Sequence, residues 1–184
     1  IIYMESIVTG KVNAPYSEYE HHVAELASAV DANRRFDMIR KMGFAINLLE
    51  DAYGNNSKWK WSFVELEGRF AAVAKNMLEL SNVLANLDPL ATAYEPTIRH
   101  LGIVKRLLAD AAIQYRDRYN LSTQRFEDLQ AAHDFLESLR YIHAMLGEQA
   151  EAGNVKKQCE LIEQKIESER KKASDPLQKQ GRSS

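Results

Sequence analysis

Few residues of this 184-residue chain have the types and spacing that metal binding requires. Glu18 and His21 form a Glu-x-x-His pair, which is half of the motif that binds iron in di-iron helical bundles. A complete site needs a second such pair, and no other histidine has a glutamate three residues before it. The sequence therefore predicts no metal ligands and no cofactor.

Candidate catalytic groups are equally scarce. His133 and Glu137 are four residues apart, and this spacing predicts a surface pair on one helix face. Cys159 lies among glutamates, whose charge disfavours the thiolate, so we interpret it as a packing residue. The sequence has no nucleophile elbow, no phosphate-binding glycine loop and no zinc-ligand spacing. The sequence therefore predicts no catalytic residue.

The most suggestive surface feature is the segment Lys58, Trp59, Lys60 and Trp61, which we name the Lys-Trp corner. Alternating cations and aromatic rings can stack nucleic-acid bases, lie at a lipid interface or anchor a protein partner. The same side chains can also simply close one end of a helical core. Among the binding alternatives, the sequence favours a protein partner.

A second candidate interaction surface is the charged helix predicted over 154–173. Its apolar stripe is too thin for a bundle core and resembles a coiled-coil seam, which predicts contact with a second copy or another protein. The alternative is that this helix folds back along the bundle or stays partly frayed. The stripe consists of Val155, Cys159, Ile162 and Ile166.

Composition limits the possible partners and compartments. The formal net charge is -2, so no overall field attracts nucleic acid or an anionic membrane. A single cysteine excludes an internal disulfide and favours a reducing compartment. There is no apolar run of about 18 residues and no signal peptide at the start, so the sequence predicts a cytoplasmic protein.

The longest apolar pattern predicts one central helix over residues 62–87. Its apolar residues follow each other at alternating steps of three and four, and flanking apolar residues widen the stripe. A stripe of this width predicts contact with at least two neighbouring helices. The stripe consists of Phe63, Leu66, Phe70, Val73, Met77, Leu80, Leu84 and Leu87.

Two serines are predicted to begin helices. Ser17 and Ser62 are each followed three residues later by glutamate, the pattern of a capping box. Between residues 16 and 53 the apolar stripe changes phase near Asp31, so this region is one helix that changes neighbours or two helices. In the second case, Asn33 could cap the second helix.

These patterns together predict an all-α fold, an antiparallel bundle of four to five long helices with an appended charged C-terminal helix. The expected function is a non-enzymatic protein-interaction or scaffold module that assembles with itself or a partner. The alternatives are a helical enzyme with a site assembled across the bundle, or a binder of nucleic acid or membrane. The predicted segments are an extended lead-in 1–15, a bundle 16–147, a coiled-coil-like helix 154–173 and a flexible tail 174–184.

Overall fold

The computed structural model describes residues 1–54 and 58–174. Almost all of the predicted flexible tail 174–184 therefore lies outside the described residues. Within the described ranges the chain forms eight α-helices and no strand, which confirms the all-α class. None of the helices in this part of the chain has the length and hydropathy needed to cross a bilayer.

The chain divides into two units, Ile1–Ala111 and Ala112–Ser184. The first contains five complete helices and most of a sixth. These are α1 Ile2–Val8, α2 Tyr16–Ala29, α3 Ala32–Tyr53, α4 Lys60–Asn76, α5 Leu80–Asn86 and α6 Tyr94–Arg118. The second unit contains the end of α6, a π-helical turn Tyr119–Thr123, α7 Phe126–Met145 and α8 Gln149–Ser174.

The first residues are not the extended lead-in that the sequence predicts, because Ile2–Val8 forms α1. Met4 and Val8 are four residues apart on one helix face, and both are buried. Glu5, which lies beside them, accepts hydrogen bonds from the guanidinium of Arg69 on α4. Burial on one face and an ion pair therefore stabilise a helix of only seven residues.

The prediction of a single central helix over residues 62–87 is wrong, because α4 ends at Asn76 and α5 begins at Leu80. The side chain of Asn76 is buried and donates to the backbone carbonyls of Thr9 and Lys11. After the break, Leu80 returns to the core. Since the intervening turn preserves the apolar spacing, the sequence pattern does not reveal it.

Both predicted capping serines lie inside helices. Helix α2 begins at Tyr16 after Pro15, whose fixed φ of -57° suits a helix start, so Ser17 is already helical. Helix α4 begins at Lys60, because the carbonyl of Trp59 accepts the N–H of Ser62 at 2.8 Å. The capping-box interpretation is wrong at both positions.

The phase change near residue 31 marks two helices, and the residue that caps the second is Asp31. Its Oδ1 accepts the backbone N–H of Arg34 at 2.9 Å, whereas Asn33 lies within α3. Asp31 therefore satisfies one of the free backbone donors at the start of α3.

Replacement of Asp31 by Ala should lower the free energy of unfolding by about 1 kcal/mol, because the cap hydrogen bond is lost. Asn33→Ala is the matched control two residues away, and we expect a change within about 0.5 kcal/mol. Urea denaturation followed by circular dichroism measures both. Equal losses for the two variants would show that Asp31 does not cap α3.

In the second unit, α7 and α8 form a helical hairpin. The connection is short, and Gly147 adopts a φ of +75° there, a conformation that glycine accepts without strain. Helix α8 begins at Gln149, five residues before the predicted start, and packs along α7. The charged helix is therefore half of a hairpin in the described part of the chain.

Candidate functional site

At the Lys-Trp corner, Trp59 is 46% exposed and Trp61 is partly buried. The Nζ atom of Lys58 lies 5.1 Å from the ring centroid of Trp59, and that of Lys60 lies 5.0 Å from the ring of Trp61. Each cation thus lies over the face of the neighbouring indole. The corner is an exposed apolar surface with a positively charged rim.

A cavity of about 190 Å³ opens beside Trp59. The ring of Tyr53 meets Trp59 edge-on at a centroid distance of 6.4 Å and contacts Phe63 at 5.9 Å. The volume is below the range usual for small-molecule sites, and the lining is mostly apolar, so this cavity suits a single inserted side chain. Its lining residues are Tyr53, Trp59, Ser62, Phe63 and Leu66.

Next to this cavity, α3 exposes large apolar side chains over about three helical turns. Leu49 and Tyr53 continue the helical spacing of Ile39 and Ile46, which predicts burial for all four. The structure buries Ile39 and Ile46 and leaves Leu49 and Tyr53 exposed in the last turns of α3. The exposed fractions of four large apolar side chains in the second half of α3 range from 49% to 65%. We name these residues the α3 face: Phe44, Leu48, Leu49 and Tyr53.

The apolar stripe of α8 is covered within a single chain. Its side chains are buried in the second unit, where α8 packs along α7, whereas the Lys-Trp corner belongs to the first unit. The structure therefore agrees with the alternative that this helix folds back, and the stripe is not displayed for a partner in this conformation. The stripe residues are Val155, Cys159, Ile162 and Ile166.

The α7–α8 hairpin brings together three groups that the sequence analysis treated separately. His133 and Glu137 on α7 and Cys159 on α8 place ligand atoms within 4.8 Å of one another. Nε2 of His133 also lies 3.0 Å from Oε1 of Glu163 on α8. The side chain of His133 is 15% exposed and that of Glu137 is 34% exposed, so the predicted pair on one face of α7 is partly buried by α8.

The electrostatics of this cluster depend on burial and on Arg140. Burial and the adjacent Glu137 raise the pKa of the Cys159 thiol to about 12, which agrees with the prediction that it is not a nucleophile. The guanidinium of Arg140 donates to Glu137, with Nη2 and Oε2 2.6 Å apart, and holds the pKa of that carboxyl below its usual value. Glu137 is therefore a carboxylate at neutral pH.

The Glu-x-x-His pair of the sequence, Glu18 and His21, lies at the surface. His21 pairs with Glu25 at 3.7 Å, and both side chains are mostly exposed. Glu18 is exposed as well. This arrangement is typical of a solvated helix face rather than of a di-iron centre.

The fold and these surfaces define an all-α protein with a helical hairpin in its second unit. The model of the TP0443 family matches residues 1–170, so the chain belongs to the TP0443 family. Comparison with curated proteins and with solved structures finds no match. Membership of this family does not by itself indicate an activity or a partner.

Proposed function

We propose that this protein is a non-enzymatic helical interaction module that associates with a second copy of itself through the α3 face and the Lys-Trp corner. The observation that carries the proposal is the group of large, exposed apolar side chains in the second half of α3, which Trp59 follows in the chain. Single exposed apolar residues are ordinary on soluble proteins, whereas contiguous apolar patches usually mark interaction sites.

The side chains in this surface are of the kinds that contribute most to binding. Tyr53 and Trp59 are aromatic, and such residues are enriched at the centres of protein interfaces. The cavity beside Trp59 offers a place in which an apolar side chain of the second copy becomes fully desolvated. Because the exposed area is that of one helix face and one corner, we expect a small interface and a dissociation constant in the micromolar range.

The charges on α3 favour a second copy over an unrelated partner. Arg40 and Lys41, which also pair with Asp37 in the same helix, precede the apolar residues, and Glu50 and Asp51 lie in the second half of α3. If two copies of α3 pack antiparallel about a two-fold axis, the basic pair of each helix faces the acidic pair of the other. The same arrangement brings Phe44 of one copy opposite Leu48 of the other.

Self-association is tested by sedimentation velocity of the full chain over a range of concentrations. We expect a monomer at low concentration and a dimer at high concentration. Leu48→Glu should raise the dissociation constant at least tenfold, because it places a charge in the apolar contact. Leu90→Glu is the matched control, since Leu90 is 93% exposed and lies outside the α3 face.

Circular dichroism of both variants verifies that they remain folded. A wild-type chain that stays monomeric at several hundred micromolar would contradict self-association. So would equal weakening by Leu48→Glu and Leu90→Glu, because the contact would then lie elsewhere.

A further inference from the structure

We infer that His133, Glu137, Cys159 and Glu163 form a binding site for a divalent transition metal, with zinc as the best match. The site lies entirely within the α7–α8 hairpin and is independent of the α3 face. Its proposed role is to join the two helices of the hairpin, since each helix supplies two of the four ligands.

The hairpin places two of these side chains on α7 opposite the other two on α8. His133 and Glu137 are one helical turn apart on α7, and Cys159 and Glu163 are one turn apart on α8. His133 contacts Glu163, and Glu137 hydrogen-bonds to Cys159, so both cross-helix pairs are centred on residue 148 in the turn. The juxtaposition therefore follows from the pairing of the helices.

The distances are close to those of a metal centre. Tetrahedral zinc with bonds of about 2.0–2.3 Å holds its ligand atoms roughly 3.5 Å apart. The ligand atoms of His133, Glu137 and Cys159 already lie within 4.8 Å of one another, and His133 and Glu163 are 3.0 Å apart. Side-chain rotations that draw the ligand atoms of His133, Glu137 and Cys159 inwards by about 1 Å would give the spacing of zinc ligands, and Glu163, which contacts His133, is the fourth candidate ligand.

The donor types select the class of metal. One imidazole nitrogen, one sulfur and two carboxylates suit zinc or a similar borderline-soft cation, whereas calcium and magnesium prefer oxygen ligands alone. Nε2 of His133 lies 3.0 Å from the carboxylate of Glu163, and Nδ1 faces Asp134 at 3.8 Å. When a metal takes the place of the proton on Nε2, Asp134 can stabilise the tautomer that carries its proton on Nδ1.

The charges balance when the metal binds. The S–H bond of Cys159 breaks, its proton passes to the solvent, and a sulfur–metal bond forms without any change of oxidation state. The thiolate and the carboxylates of Glu137 and Glu163 then carry three negative charges. A divalent cation and the guanidinium of Arg140, which already donates to Glu137, neutralise them.

Titration of the metal-free, reduced full chain with Zn²⁺ in a calorimeter tests the inference. We expect one high-affinity equivalent per chain and a thermal midpoint that rises with the metal concentration. Titration with Co²⁺ provides a direct signature, because a cobalt–thiolate bond gives a charge-transfer absorption band in the near ultraviolet. Absence of this band in the wild-type chain would overturn the inference without any variant.

Cys159→Ser and His133→Gln should each weaken Zn²⁺ binding at least tenfold, and Cys159→Ser should abolish the cobalt–thiolate band. His143→Gln is the matched control, because His143 lies on the same helix but pairs with Glu148. We expect it to bind as the wild type does. Binding that is equally strong in Cys159→Ser would contradict the site, as it would place the metal at surface histidines such as His21.

Discussion

Replacement of Phe70 by Ala should lower the free energy of unfolding by about 3–5 kcal/mol, the range for a fully buried aromatic side chain. Phe70 is 4% exposed and lies in the most densely buried part of α4. Its ring is packed so closely against α3 that a Cβ atom added to Gly43 would lie 3.2 Å from Cε1. The cavity left by Ala would therefore be walled by helices that cannot close it without moving.

The control is Phe44→Ala on α3, which removes the same side chain from a position that is 65% exposed. We expect this second change to cost less than about 1 kcal/mol in the monomer. Urea denaturation at a concentration that keeps the chain monomeric compares the two. A loss below about 1 kcal/mol for Phe70→Ala would show that α4 is not the centre of the first unit.

Acidification should destabilise the first unit before its carboxylates titrate. His100 is buried, and Nε2 donates to the carbonyl of Ala74 at 2.8 Å. Burial lowers the pKa of His100 to about 4 from its usual 6.5, and the charge of Arg35 acts in the same direction. Between these two values the unfolded chain binds a proton that the folded chain excludes, so stability falls as the pH falls.

The shift corresponds to a loss of about 3 kcal/mol on going from pH 7 to pH 4. The measurement is the urea midpoint as a function of pH for the wild type and for His100→Gln, which keeps a donor for Ala74 but cannot titrate. We expect the variant to lose the decline between pH 6.5 and 5. His21→Gln, at an exposed site, should retain it; identical profiles for the wild type and His100→Gln would refute the assignment.

The all-α class could be predicted from the sequence because it follows from apolar spacing, which one chain segment reveals by itself. The break after Asn76 could not, since the turn before Leu80 keeps the spacing of three and four. The cause of the break is distant in sequence: Asn76 binds carbonyls near residue 10. The capping patterns failed for a different, local reason: Pro15 and Trp59 precede helices that begin one to two residues before the predicted serines.

The candidate sites depend on which faces meet, and apolar spacing does not specify this. Leu49 and Tyr53 continue the spacing of the buried Ile46 and are nevertheless exposed, because the last turns of α3 are less covered than the turns around Ile39 and Ile46. The apolar stripe of α8 lies on one side of the helix, as the sequence predicts. The helix that covers this stripe is α7 of the same chain and not a partner chain. The signal that could have found the His133–Cys159 cluster is the turn at Gly147, since pairing two antiparallel helices about it brings these residues together.

The most direct test of self-association through α3 is a charge exchange measured by sedimentation equilibrium. Lys41→Glu and Asp51→Lys each replace an attraction between copies by a repulsion, at two symmetric places. We expect each single variant to raise the dimer dissociation constant about tenfold. This change corresponds to the energy of two exposed ion pairs, because the two-fold axis repeats each contact. The double variant should restore the wild-type dissociation constant to within about threefold. In this variant the two charges have exchanged places, so the contact between the copies is attractive again. A double variant that associates as weakly as the single variants would contradict the antiparallel α3 contact.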